Sequence, residues 1–216
     1  MKLLQSFGPN PRRVRMFIKE KGVELEQEEI DIAGAENRGE AYRRKNPAGQ
    51  IPALILDDGF VLSETVAICQ YLDEEYPDPP LIGTNARQRA ETQMWVRRVE
   101  LDVTGYMMDG FRYAEGLKMF KDRIRCLPEA ADGLKARGRD GLQWLNGLLG
   151  GNTWLAGGRF TLADICLYCD LDFLASVGQP LDPALTHVVA WFKRVDGRPT
   201  ATASLHPAAT KIHMRG

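Results

Sequence analysis

Asn46-Pro-Ala-Gly-Gln-Ile-Pro-Ala-Leu54, followed past a turn by Leu62-Ser-Glu-Thr65, is the stretch from which the rest of the chain can be read. Between Gln50 and Leu56 the residues are mostly apolar and β-prone, and Pro52 stands where a strand begins, so the exposed end of that strand lacks one backbone donor. Asp58 and Gly59 form a strong hairpin signal, so Ala53–Leu56 is expected to turn back antiparallel into Phe60–Leu62. The hairpin then delivers Ser63, Glu64 and Thr65 to the first turn of a helix that continues through Val66, Ile68, Cys69 and Leu72. A helix N-terminus offers free N–H groups and partial positive charge, and an open strand edge offers main-chain hydrogen bonds. Together they can grip an extended peptide and its carboxylate. On spacing alone, a strand-initiating proline and a capped helix remain the simpler reading.

This stretch resembles the glutathione-binding signature of the soluble glutathione S-transferase superfamily, in the branch that lacks the usual Tyr, Ser or Cys. The resemblance implies a cis bond before Pro52, with the Ile51 backbone turned toward the cysteinyl part of glutathione and Glu64 and Thr65 holding the γ-glutamyl end. By the same comparison Gln50 touches the tripeptide, and Asn37 and Arg38 lie near its glycine carboxylate.

Twenty-eight basic against twenty-nine acidic residues leave a net charge of −1, which provides no global field for nucleic acid or an anionic membrane. With 44% hydrophobic and 26% charged residues in 216, a packed core is expected. Met1 to Gly8 carries no long apolar run and no later stretch approaches the roughly eighteen residues of a membrane span, so a soluble cytoplasmic protein is expected. Cys69, Cys126, Cys166 and Cys169 are expected to be reduced. Cys166 and Cys169 have the spacing of a redox or zinc pair. They fall inside a helical pattern with no second pair, and are read as core thiols, with no metal site.

Lys2–Phe7 reads as a strand, Gly8-Pro-Asn-Pro11 as a break, and Val14, Phe17 and Ile18 as the buried face of a helix ending at Lys21-Gly22. Leu25–Ile32 follows as a second strand, parallel to the first, and Glu36–Lys45 as a short polar helix. With the hairpin and its helix the order is β-α-β-α-β-β-α, which resembles the thioredoxin-like domain of the same superfamily. The fold class expected is therefore an α/β thioredoxin-like N-terminal domain followed by an all-α C-terminal domain. The boundaries expected are 1–78 for the first domain, 79–86 for a proline-rich linker, and 87–216 for the helical domain carrying the electrophile site. In the second domain, long helices are expected over Ala86–Ala114 and over Pro128–Leu149, the latter in spite of Gly133, Gly138, Gly141 and Gly147. Thr161 and Asp164 have the spacing of a capping box, which also resembles a helix start in the family's helical domain.

Glutathione transfer needs the thiolate, and the resemblance places its stabilising donor just after the first strand. Here the usual serine position falls at Gly8 and the usual cysteine position at Asn10. Asn10, whose amide can donate, is the favoured catalytic residue; Ser6 is the other candidate, although it belongs to the strand. A related branch uses a thiol-bound water held from the helical domain, which would implicate Arg112 and Tyr113. A hydrophobic electrophile is expected against Pro9 and the end of the first long helix, at Met107, Met108, Phe111, Arg112 and Tyr113. The resemblance also implies a homodimer, glutathione as co-substrate, and a role in detoxification. Glutathione-dependent disulfide reduction, peroxidase activity and non-catalytic glutathione binding are the alternatives.

Overall fold

Strand β1 (Lys2–Gln5) is the one around which the first half assembles. It runs parallel to β2 (Glu26–Glu29) and antiparallel to β3 (Ala53–Ile55), and β4 (Val61–Ser63) completes the sheet order β2-β1-β3-β4. Alternation sorts the side chains between the two faces. Leu4 and its partner Ala53 pack with Ile30 and Tyr42, while Leu3 and its partner Leu54 are buried on the other face. Strand β2 is shorter than the expected Leu25–Ile32 because its ladder partner ends at Gln5. It is an edge strand of acidic residues and one glutamine, a composition that discourages further pairing.

Helix α1 is Pro9–Glu20, so Pro9-Asn-Pro11 is its first turn and not the break expected from sequence. First-turn N–H groups have no helical partner, and proline there loses nothing. Its N-cap Gly8 takes φ 133, in the region that disfavours any side chain. The expected helix Glu36–Lys45 is divided at Gly39, whose extended backbone separates a 3-10 turn (Glu36–Arg38) from α2 (Glu40–Lys45). Helix α3 (Thr65–Glu75) follows β4 directly, packing on α1 and on the hairpin.

The structure, a computed structural model describing residues 1–216, divides into two compact units. The first comprises Met1–Leu81 with Pro199–Gly216, and the second Ile82–Arg198. Residues 199–216, grouped with the helical half in the sequence reading, thus pack with the sheet; they form α10 (Pro199–Ala203) and α11 (Ala209–Ile212). Their packing buries Arg12 and Arg15 on the side of α1 that its apolar periodicity left to solvent.

The second unit is helical. Helix α4 (Ala86–Val99) leads through a π turn (Glu100–Thr104) into α5 (Gly105–Tyr113), followed by α6 (Leu117–Phe120), a 3-10 turn (Pro128–Ala130), α7 (Ala131–Leu148), α8 (Leu162–Ser176) and α9 (Thr186–Asp196). Helix α7 is unbroken, because two of its glycines serve packing. A Cβ on Gly141 would stand 2.0 Å from the Asp102 carbonyl oxygen, and one on Gly138 would stand 2.3 Å from Met107 Cγ. The capping box forms: Thr161 N–H donates to Asp164 Oδ2 at 2.9 Å, and Asp164 Oδ1 accepts from Leu155 N–H at 3.0 Å and Trp191 Nε1 at 2.8 Å. Burial pushes Asp164 up to about 6 against these hydrogen bonds, which favour the carboxylate. Cys166 and Cys169 are buried core thiols. No helix is long and apolar enough to cross a membrane.

Candidate functional site

The register of the sheet gathers the candidate residues of the first unit. Ala53 is opposite Leu4 on one side and Ser63 on the other. The C-terminus of β1, the N-terminus of β3 and the C-terminus of β4 therefore lie at one end of the sheet, within about two strand spacings, or ~10 Å. From that end emerge Ser6 to Asn10, then Gln50 to Pro52, then Glu64 and Thr65. Helices α1 and α3 both begin there; α3 brings its unpaired first-turn N–H groups, whereas Pro9 and Pro11 leave the first turn of α1 with that of Asn10 alone.

The loop before β3 is pinned from below. Tyr42 Oη donates to the Gln50 carbonyl at 2.7 Å and Asn46 Nδ2 donates to the same oxygen at 2.9 Å. Asn37 Nδ2 donates to the Gly49 carbonyl at 2.7 Å. Gly49 takes φ 61, and a Cβ there would meet the Asn37 carbonyl oxygen at 2.9 Å and approach the Arg38 side chain at 3.6 Å. The Asn37–Arg38 turn is thereby stitched to the loop carrying Gln50 and Ile51. Asn37 Oδ1 is buried without a partner, an acceptor placed for a donor the chain itself does not supply. The Ile51–Pro52 bond is cis; a second cis bond, Asp78–Pro79, had no sequence signal.

Glu64 is the N-cap of α3 and takes φ 71, a conformation a non-glycine residue adopts at a cost. Its carboxylate is exposed, while Thr65 is buried in the first helical position. Asn10 sits half-buried in the first turn of α1, and no hydrogen bond within the chain engages its amide. Ser6 is buried, and its hydroxyl lies 2.6 Å from the Ile30 carbonyl and 3.2 Å from Glu29 Oε1.

Residues 7–75 match the family profile of the glutathione S-transferase N-terminal domain, and residues 128–194 that of the C-terminal domain. The chain is 30% identical to a glutathione S-transferase of Escherichia coli O157:H7 across 98% of its length and 100% of the relative's. It belongs to the glutathione S-transferase family. A glutathione S-transferase domain-containing protein of Marinobacter aquaeolei VT8 superposes with a TM-score of 0.85 at 33% identity, over 93% of this chain and 99% of that one. A maleylacetoacetate isomerase of Pseudomonas aeruginosa is 29% identical over 93% of this chain and 89% of the relative's. The α/β thioredoxin-like domain with a following helical domain is thus the glutathione transferase fold.

Against the family pattern, the turn after β1 offers glycine, proline and asparagine where a tyrosine, serine or cysteine is usual. In the helical unit, Met107 and Phe111 face inward, the latter between Phe120 and Phe173 with edge-on ring contacts at 6.0 and 5.2 Å. Arg112 is bonded to Asp109 at 2.7 Å and lies over the Phe120 ring, and the half-buried Tyr113 ends α5. A groove of about 590 Å³ in this unit is lined by Met107, Lys135, Gln143, Asn146, Gln179 and Leu185. Sequence reading missed the buried Arg12 and Arg15 and the roles of Tyr42 and Asn46. Arg12, Arg13 and Arg15, three arginines close together in the opening turns of a helix, were the signal that something covers them.

Proposed function

We propose that this protein is a glutathione transferase that ionises the glutathione thiol for attack on a hydrophobic electrophile. The observation that supports this best is the convergence of the Asn10, Ile51 and Glu64–Thr65 segments on one end of the sheet. The Glu64 carboxylate takes the γ-glutamyl ammonium. The Thr65 hydroxyl and the α3 N-terminus take the γ-glutamyl carboxylate. The Ile51 backbone pairs with the cysteinyl residue in the manner of an added strand. Arg38 and Gln50 meet the glycine carboxylate end, and Asn37 Oδ1 accepts a donor there.

A free thiol titrates near 8.5, and lowering it by about two units requires roughly 2.7 kcal/mol in favour of the thiolate. Asn10 supplies a hydrogen bond to the sulfur and α1 supplies its N-terminal dipole. The thiol proton leaves to solvent. The sulfur then forms a bond to the electrophilic carbon, and the leaving group departs with its electron pair. Ser6, whose hydroxyl is turned to Ile30 and Glu29, supports the turn and leaves the sulfur to Asn10. The acceptor is assigned, on the resemblance alone, to Arg112 and Tyr113 of the helical unit; Met107 and Phe111 are buried in that unit.

We also propose a homodimer. Each unit carries exposed apolar side chains suited to a second copy: Phe60, 59% exposed beside the hairpin turn, in the first, and Met94, Leu101 and Trp144 in the second. A cytoplasmic location remains part of this proposal.

The deciding experiment is the ultraviolet thiolate absorbance of bound glutathione against pH. An apparent pKa well below the free value supports the transferase reading. A pKa at the free value, with binding confirmed, makes the protein a glutathione carrier. Turnover of a disulfide in place of a generic electrophile would favour the reductase alternative.

A further inference from the structure

The segment from Ser204 to Gly216 is bound by directed contacts to the turn that presents Asn10 and to the start of α1. Arg12 is fully buried, and its fork of donors is spent on the backbone and side chains of residues 201–215. Nη2 donates to the Ala201 carbonyl at 3.0 Å, Nε to Ser204 Oγ at 3.3 Å and Nη1 to the Arg215 carbonyl at 3.4 Å. Arg15 bridges the same segment to β1: Nε donates to the Ser204 carbonyl at 2.9 Å, and Nη1 donates to the Ser6 carbonyl at 2.9 Å and Gln5 Oε1 at 2.7 Å.

His206 adds a third tie. Its Nδ1 accepts from the Ala208 N–H at 3.1 Å, which leaves Nε2 carrying the proton that it donates to Glu29 Oε1 at 3.1 Å. Glu29 Oε1 is also 3.2 Å from Ser6 Oγ, and the His206 ring meets Phe7 edge-on at 6.1 Å. The His206 N–H donates to the Gly216 carbonyl at 3.0 Å. Gly216 is buried directly on Gly8: a Cβ there would stand 2.8 Å from Gly8 Cα and 3.0 Å from its nitrogen and carbonyl carbon. Thus Phe7, Gly8 and Arg12 are touched directly and Ser6 through Arg15 and Glu29, while the Asn10 amide is left free.

We propose that residues 204–216 are a strap that fixes the Ser6–Asn10 turn for thiolate stabilisation, with Arg12, Arg15 and His206 as positioning residues. This rests on the assignment of Asn10 to the glutathione sulfur. The ties end on the β1–α1 turn and its supporting strands, not on Asn37, Gln50, Glu64 or Thr65, which hold the two ends of the tripeptide. The strap therefore acts on the sulfur's ionisation and not on glutathione affinity. A hydrogen bond to a thiolate weakens steeply as its angle opens, so a small shift of Asn10 removes much of its effect.

The test compares the unaltered protein with Gly216→Val and His206→Ala, each first shown to be folded by its circular dichroism melt. Valine cannot occupy the close approach to Gly8, and alanine removes the donor to Glu29. The expected result is a rise in the bound-glutathione thiolate pKa of about one unit, equivalent to a tenfold weaker preference for the thiolate. Turnover falls with it, while the glutathione Kd by calorimetry changes less than about threefold. His206→Gln, which can still donate to Glu29, recovers turnover. Unchanged thiolate pKa and turnover in both variants overturn the strap while leaving the transferase reading in place. A fall in turnover matched by an equal loss of glutathione affinity also overturns it, since that is the mark of general damage. Absence of glutathione binding by the unaltered protein overturns the transferase reading, and the strap's role with it.

Discussion

The side-chain amide of Asn37 donates to the Gly49 carbonyl across 2.7 Å, joining the turn after β2 to the loop before β3. Gly49 is held at φ 61 with Arg38 alongside, so one bond sets the relation between two segments proposed to meet the glycine end of glutathione. Asn37→Ala leaves that carbonyl without its donor and loosens both segments, at a cost of about 1–2 kcal/mol, or roughly five- to thirtyfold in glutathione Kd. Isothermal calorimetry measures it, and an unaltered Kd would show that the stitch does not shape the site.

Glu64 is held at φ 71 at the start of α3. Relief of that conformation by Glu64→Gly should stabilise the fold by about 0.5–1 kcal/mol after glycine's greater unfolded-state entropy is counted. The same change removes the proposed partner of the γ-glutamyl ammonium, weakening glutathione by about 1.5–3 kcal/mol. A melting temperature that rises while affinity falls is the expected pair of results. Retained affinity in both Glu64→Gly and Thr65→Ala would remove the γ-glutamyl pocket from this end of the sheet.

Asn10 has an uncommitted amide in the first turn of α1. Asn10→Ala should leave glutathione binding nearly intact and lower turnover, with the thiolate pKa rising by about one to two units as one hydrogen bond to a charged sulfur is lost. Asn10→Asp should raise it further, since a carboxylate repels the thiolate. Steady-state kinetics with the ultraviolet titration separate the two effects. Equal turnover in all three proteins would transfer the role to Arg112, Tyr113 or a water.

The local geometry of the candidate site was more legible than the packing around it. Pro52, Glu64 and Thr65 lie on one hairpin and the helix that follows it, and its turn residues dictate local geometry whatever surrounds them. The placement of residues 199–216 was not legible, because it depends on Arg12 and Arg15 finding carbonyl partners far along the chain. Apolar periodicity marks faces that meet apolar partners and is silent about a buried guanidinium. The extent of β2 failed for a related reason, since the partner strand's last residue, Gln5, decides it.

Asp164 carries a pH prediction. Its folded pKa, raised to about 6 by burial, lies above the unfolded value, so the folded protein binds the extra proton between these values. The stabilisation is present below the unfolded pKa and is lost as pH rises through about 6. The advantage of the unaltered protein over Asp164→Asn should therefore be larger at about pH 4.5 than at pH 7.5, by about 2 kcal/mol. Urea unfolding at the two pH values measures the difference. An advantage that grows with pH would mean that the four donors around the carboxylate outweigh its burial.

The glycines of α7 separate packing from propensity within one helix. Gly133 and Gly147 have open space where a Cβ would stand, so alanine at either should stabilise by about 0.5–1 kcal/mol through helix propensity alone. Gly141 is different, because the atom 2.0 Å from its would-be Cβ is the Asp102 backbone oxygen in the π turn. A backbone atom cannot rotate away as a side chain can, so α7 and the π turn must part. Gly141→Ala should then destabilise by about 1–3 kcal/mol despite the same gain in propensity. Denaturant midpoints for the three variants give the comparison directly: opposite signs for Gly141 and Gly147 are expected. A shared sign would mean that the π turn yields to the added methyl group without disturbing the contact between the helices.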